Sequence, residues 1–202
     1  MNWRLASRFA VVISALLVGV LVFVITHAGA TPTLQGTDLG GVSAPNFSLT
    51  DQFGNQISLA QFRGHPVVLT FLYTHCPDTC PLIADKLRLT LTTLAGEAEN
   101  VGVLAVSTDP QGDTQSAAYQ FSQTHHLLNQ WHFLIGTASQ LQPVWAAYHI
   151  YASAPTPTAT GSVVGHSVAI YVLDKQGKER VFLAEDFAPN TLADDLRTLL
   201  NE

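Results

Sequence analysis

Apolar residues fall along this chain in three rhythms, and each predicts a different element. Residues 9–26 (FAVVISALLVGVLVFVIT) run for eighteen positions without a charge, about the length that spans a hydrocarbon core as a helix. Residues 67–73 (VVLTFLY) and 101–106 (VGVLAV) are shorter unbroken runs rich in β-branched side chains. They read as strands buried on both faces. Elsewhere the spacing is helical. Leu82, Ile83, Leu87, Leu91 and Leu94 mark a helix closing near Gly96, and Asp113 or Thr114 caps another through about His126, with Tyr119, Phe121 and Leu127 on its apolar side. Two more helices are expected, one from about Ser139 to Tyr148 and an amphipathic one over 190–200.

Turn chemistry supplies the connections. Residues 47–49 and 57–59 flank Asp51-Gln52-Phe53-Gly54-Asn55, and residues 168–173 and 180–183 flank Asp174-Lys175-Gln176-Gly177. Both patterns predict hairpins. A short strand at 132–135 and a loop carrying Pro155 and Pro157 complete the pass. Strand–helix–strand–helix followed by a hairpin and a helix predicts an α/β fold: a mixed sheet flanked by helices. Residues 31–46 (TPTLQGTDLGGVSAPN) are rich in Gly, Pro and Thr and read as a linker, which leaves 47–202 as the folded domain.

Composition narrows the function classes. The chain is 202 residues long, 47% hydrophobic and 12% charged, which excludes disorder for most of it. A formal net charge of −6 and a pI near 5.7 exclude nucleic acid held on a basic face. Arg4 and Arg8 precede the apolar run and no Lys or Arg follows until Arg63. The positive flank stays in the cytoplasm, so residues 1–30 are expected to anchor the chain by a single pass through the cytoplasmic membrane, with the domain on the extracytoplasmic (periplasmic) side. Ala28-Gly29-Ala30 fits a signal-peptidase site, which leaves a cleaved, exported form open; the length of the run favours the anchor.

The chemistry concentrates at the end of the first buried strand. Cys76 and Cys80 are the two cysteines of the chain, and they stand where that strand gives way to a helix. On one helical turn their Cα atoms would be about 6.2 Å apart, so the pair can be a dithiol or a disulfide with little backbone movement. A helix N-terminus lowers a thiol pKa and makes the thiolate both nucleophile and soft metal ligand. A purely structural disulfide is the plainer reading. A loop this short would contribute only about 2 kcal/mol, which argues against it. Two thiolates need a third ligand. Of eight histidines, His27, His125, His126, His132 and His149 have structural explanations. His75 adjoins Cys76. His166, in Gly165-His166-Ser167 just before the strand 168–173, can reach the cysteine loop if that strand lies beside 67–73.

YTHCPDTCP (73–81), STDP (107–110) and GHSVAIYVLD (165–174), behind one N-terminal anchor, resemble the SCO/SenC family over roughly 45–200. The resemblance implies a thioredoxin-like fold and a copper chaperone that serves the dinuclear copper site of cytochrome c oxidase. It carries the family's ligands onto Cys76, Cys80 and His166. Many members have Asp before that histidine, where this chain has Gly165. Copper suits the ligands on chemical grounds too: thiolates select Cu(I), and two sulfurs with an imidazole also hold Cu(II); zinc could use the same set but normally takes four ligands, or three plus water. Asp78 and Asp109 are candidates to support the ligands from behind, or else a helix cap and a turn residue.

The rival function is a thiol–disulfide oxidoreductase acting on the cysteines of an exported protein. Against it stand the C-x-x-x-C spacing, where thioredoxins have C-x-x-C, and the lack of any proline between Pro157 and Pro189 that could lie beside the pair. FSLTDQFGNQISL (47–59) also resembles peroxiredoxins, but their T-x-x-C element would need Thr where Tyr73 stands.

Overall fold

The structure is a computed structural model, and it describes residues 13, 14, 16–20, 22, 33–158 and 161–202. The chain divides into two compact units, Met1–Thr33 and Leu34–Glu202. The span expected over 9–26 lies largely outside the described residues; among those described, no helix is long and apolar enough to cross a membrane.

Among its described residues the second unit has ten strands: β1 (Thr37–Ser43), β2 (Ser48–Thr50), β3 (Gln56–Ser58), β4 (Val67–Leu72), β5 (Gly102–Ser107), β6 (His132–Leu134), β7 (Thr156–Thr158), β8 (Gly161–Val163), β9 (Ile170–Leu173) and β10 (Lys178–Leu183). Its helices are α1 (Thr79–Leu94), α2 (Gln115–Thr124), α3 (Ala138–Ala147) and α4 (Pro189–Asn201). Six strands form one sheet in the order β1-β10-β9-β4-β5-β6. The β4, β5 and β6 strands run parallel, and β9 joins β4 antiparallel, so the sheet is mixed as expected.

Alternation along β4 divides the interior in two. Val68 and Leu72 point into a core with Ile83, Leu87 and Leu91 of α1 and Leu192 and Leu196 of α4. Val67, Leu69 and Phe71 point the other way, against Leu141, Val144 and Trp145 of α3 and Tyr148 just after it. Both faces are covered, which is why these strands read as unbroken apolar runs. The one polar residue within β4, Thr70, is fully buried and gives its hydroxyl proton to the Ala169 carbonyl at 3.1 Å.

Several expectations need correction. Residues 37–43, expected in the linker, form the edge strand β1 against β10. Gly40 and Gly41, both at φ +72°, lie within the irregularity between Asp38 and Val42. Such a bulged edge looks like a linker by composition because backbone pairing needs no apolar side chains. The loop around Pro155 and Pro157 contains the hairpin β7–β8. Leu82, expected on the buried face of α1, is 61% exposed, and Tyr119 is exposed as well. Thr114, not Asp113, caps α2, accepting from the Ala117 amide at 3.1 Å.

One buried group on α4 opposes the fold at neutral pH. Asp195 is 2% exposed, accepts the Gln35 amide at 2.8 Å on Oδ1, and leaves Oδ2 without a partner. Burial pushes its pKa up to about 6 from the ordinary 3.8, despite the Gln35 amide, and Asp194 adds to the rise. Below the ordinary value both folded and unfolded chains hold the proton and nothing is lost. Above about pH 6 the folded state carries the full cost of a buried carboxylate, so this group makes stability fall as pH rises through that window. Asp195→Asn is expected to raise unfolding free energy at pH 8 by about 1–2 kcal/mol and to leave it unchanged at pH 4. Urea melts at both pH values check this, and equal effects at the two would contradict it.

Candidate metal centre

The buried strand β4 ends at Leu72, and Tyr73, Thr74 and His75 turn the chain outward before Cys76. Asp78 caps α1 by accepting the Thr79 amide, which starts the helix two residues before Pro81, where proline's missing N–H costs nothing. Cys76 therefore lies just ahead of the helix and Cys80 in its first turn. Both are buried, and neither is disulfide-bonded. The Cys80 amide donates to Cys76 Sγ at 3.3 Å, so an N–H at the helix start is spent on the sulfur.

His166 arrives from the other side of the sheet's centre line. Thr70 pairs with Ile170, and His166 precedes Ile170 by four residues, at the same end of β4 as the cysteine turn. A short ladder holds it there: Ala152 bridges to His166, the Ser167 amide donates to the Tyr151 carbonyl at 2.9 Å, and the Ser153 amide donates to the Gly165 carbonyl at 2.8 Å. His166 Nδ1 lies 2.9 Å from the Ser167 carbonyl, which can only accept. The proton is therefore on Nδ1, and the Nε2 lone pair faces Cys80 Sγ at 3.7 Å. The Tyr73 ring stands edge-on to the imidazole, 5.4 Å between centroids at 89°. The structure thus brings together all three residues that the sequence singled out.

The two thiols are electrostatically unequal. The Cys76 pKa falls to about 4, chiefly because Cys80 donates its S–H to it. The amides of Cys80 and Asp78 add to this, against the opposing effect of burial. Cys80 moves up, because it keeps the shared proton and is buried. Tyr73 is pushed up to about 12 by burial and by the negative charge on Cys76. One thiolate, one thiol and one imidazole lone pair therefore converge, and a soft cation needs to displace a single proton.

The Asp78 and Asp109 carboxylates bond elsewhere than to the three side chains; Asp78 reaches Cys76 only through its backbone amide. Asp109 closes the turn after β5, its Oδ1 accepting from the Gln111 and Gly112 amides at 3.2 and 3.0 Å. The residue that sequence reasoning missed is Asp113. It is buried and accepts from the Thr74 amide at 2.8 Å, the Thr74 hydroxyl at 2.7 Å and the Ser107 hydroxyl at 2.6 Å, tying the cysteine turn to the end of β5. Its place just before α2 looked like a helix cap, and nothing local marks its long-range role. Of the other described histidines, His65 Nδ1 lies 3.1 Å from the Asn100 carbonyl, His125 pairs with Asp85 and His132 with Asp51, while His126 and His149 sit at positive φ after α2 and α3. At Gly165 an added Cβ would meet only Ser153 Oγ at 3.5 Å, so a larger residue fits there.

Residues 36–201 match the family described as SCO1/SenC. The chain belongs to the SCO1/SenC family. It is 34% identical over 161 residues to the bovine mitochondrial SCO2 homolog, covering 77% of this chain and 59% of that protein. It therefore spans somewhat over half the length of that relative. The SenC protein of Rhodobacter capsulatus is 25% identical over 77% of this chain and 69% of its own length. Among solved structures, Bradyrhizobium japonicum ScoI with copper bound is 27% identical, covering 79% of this chain and 100% of that one, with a TM-score of 0.71. Yeast Sco1 with copper bound is 25% identical over 80% and 90%, with a TM-score of 0.70.

A cavity of about 330 Å³, lined in part by Cys76, His75, Pro81 and Phe121, gives reagents access to the first thiol. Alkylation of the reduced, metal-free protein with iodoacetamide is expected to stay within about threefold at Cys76 between pH 8 and pH 5. An ordinary thiol near pKa 8.5 loses about tenfold in thiolate per pH unit below that value. Peptide mapping of the alkylated sites gives the rates, and a tenfold fall per unit at Cys76 would remove its thiolate character.

Proposed function

We propose that this chain is a copper chaperone, anchored by residues 9–26 in the cytoplasmic membrane, whose extracytoplasmic domain delivers copper to the dinuclear site of a cytochrome c oxidase subunit. The observation that carries this reading is the His166 Nε2 lone pair aimed at Cys80 Sγ, with Cys76 Sγ bound to the Cys80 amide on the same turn. A dithiol that worked only by exchange with other disulfides would have no need of an imidazole held in that tautomer. Soft sulfur donors with one nitrogen select copper, Cu(I) above all, and also accommodate Cu(II). The copper-bound ScoI and yeast Sco1 structures, which share this fold, support the same cargo.

Three protein ligands leave the metal coordinatively open, and that suits a carrier. A ligand from an acceptor protein can bind before a carrier ligand leaves, so the cargo is handed over without ever being free. Cys76 and Cys80 also make loading depend on redox state, since a disulfide between them offers no thiolate. The flanking Arg4 and Arg8 support the orientation of the anchor.

His166→Ala is expected to weaken Cu(I) binding by the folded, reduced protein at least tenfold, about 1.4 kcal/mol, while Cys76–Cys80 disulfide formation scarcely changes. Competition against a Cu(I) chelator, run on wild type and variant, measures the first quantity, and thiol titration the second. Unchanged copper affinity would remove His166 from the site and shift the assignment to a dithiol oxidoreductase.

A further inference from the structure

On the opposite side of the cysteine turn from His166, the chain assembles a second set of donors. His75, Asp109 and Asp113 each present one ligand atom, and these atoms lie within 4.8 Å of one another. Asp109 is 2% exposed; both hydrogen bonds it accepts fall on Oδ1, and Oδ2 carries none. That oxygen is directed at the backbone of Gly112, where a Cβ would come 2.3 Å from it and 3.2 Å from His75 Nδ1. Glycine thus leaves room for an unpaired oxygen of the buried Asp109 side chain and an imidazole nitrogen to face the same point. Asp113, on the far side, uses Oδ2 for a single bond, from Ser107 Oγ. Neither carboxylate has a Lys or Arg partner among the described residues, so two buried acidic groups stand together without a compensating cation. Burial and the neighbouring Asp109 both push the Asp113 pKa up, as that crowding requires.

From this we infer that His75, Asp109 and Asp113 form a second metal site, distinct from the Cys76–Cys80–His166 centre, for a divalent cation of the zinc or copper(II) class. One imidazole and two carboxylates, with no sulfur, suit such a borderline cation and not Cu(I). Magnesium and calcium would require more oxygen ligands than the cluster offers. Ligands on a common ion at about 2.1 Å are separated by no more than about 4.2 Å, so the set has to close by a few tenths of an ångström. His75 is exposed at the chain turn and free to make that movement. Thr74 Oγ1 gives its proton to Asp113 Oδ1 and lies 3.0 Å from His75 Nδ1, so in the metal-free protein Nδ1 carries the ring proton. Binding through Nδ1 moves that proton to Nε2, and the ring stays neutral. The inference is independent of the copper-delivery reading, since it uses none of the residues of the first site.

The test removes the first site and asks whether the second remains. The full-length chain carrying Cys76→Ser and Cys80→Ser, in detergent, is titrated calorimetrically with Zn²⁺ alone. One saturable equivalent is expected. In that background His75→Ala, at an exposed position where folding is not at issue, and Gly112→Ala, whose methyl fills the space, are each expected to weaken Zn²⁺ binding at least tenfold. His166→Ala is expected to leave it unchanged. Absence of saturable binding in the thiol-free protein would overturn the site, as would binding that survives His75→Ala or depends on His166. Because thiol-dependent Cu(I) binding is measured on different residues, either result stands apart from the fate of the copper-delivery reading.

Discussion

The antiparallel pairing of β4 with β9, in register from Val67↔Leu173 to Thr70↔Ile170, sets where the chemistry of this chain meets. A slip of one residue would turn every β9 side chain to the opposite face and displace His166 along the strand direction by about 3.3 Å. The register is secured because both faces of β4 are buried: Val68 and Leu72 in one core, Val67, Leu69 and Phe71 in the other. The Thr70 hydroxyl bond to the Ala169 carbonyl pins the same alignment from within the strand. Site geometry is in this sense a by-product of core packing, and the ligands themselves need contribute little to holding it.

Within that frame the cysteine turn is prepared for a cation by its backbone. Asp78 opens α1 where the Cys80 amide can reach Cys76 Sγ, and Asp113 fastens Thr74 so that the turn cannot swing away from β5. The amides favour a thiolate at Cys76, and the shared proton leaves Cys80 as its donor. Ser167 supplies the matching condition on the other side, holding the imidazole proton on Nδ1 so that Nε2 is available. Most of these partners are main-chain groups, so the arrangement tolerates wide variation in the surrounding side chains.

Much of this was legible in the sequence. Unbroken apolar runs located β4 and β5, turn residues located both hairpins, and the strand-end position of Cys76 and Cys80 marked the site. What stayed hidden depends on long-range contact. Strand β1 was concealed because its stabilisation comes from backbone pairing with β10 and a glycine bulge, which composition cannot distinguish from a linker. Asp113 was concealed because a buried acid that binds Thr74 and Ser107 carries the same local signature as a helix cap. Leu82 misled for the opposite reason: it follows the apolar spacing of α1 yet lies outside the arc that α1 buries. The place of His166 could be guessed, but its tautomer depends on one carbonyl contact seen only in three dimensions.

The central claim is that two sulfurs and one imidazole nitrogen converge on a single soft cation. X-ray absorption spectroscopy of the reduced protein loaded with one equivalent of Cu(I) tests it most directly. The account predicts a first shell of two sulfur scatterers and one nitrogen with the outer-shell pattern of imidazole, the latter absent in His166→Ala. A shell of sulfur alone in the wild-type protein, or an imidazole pattern that persists in the variant, would contradict it.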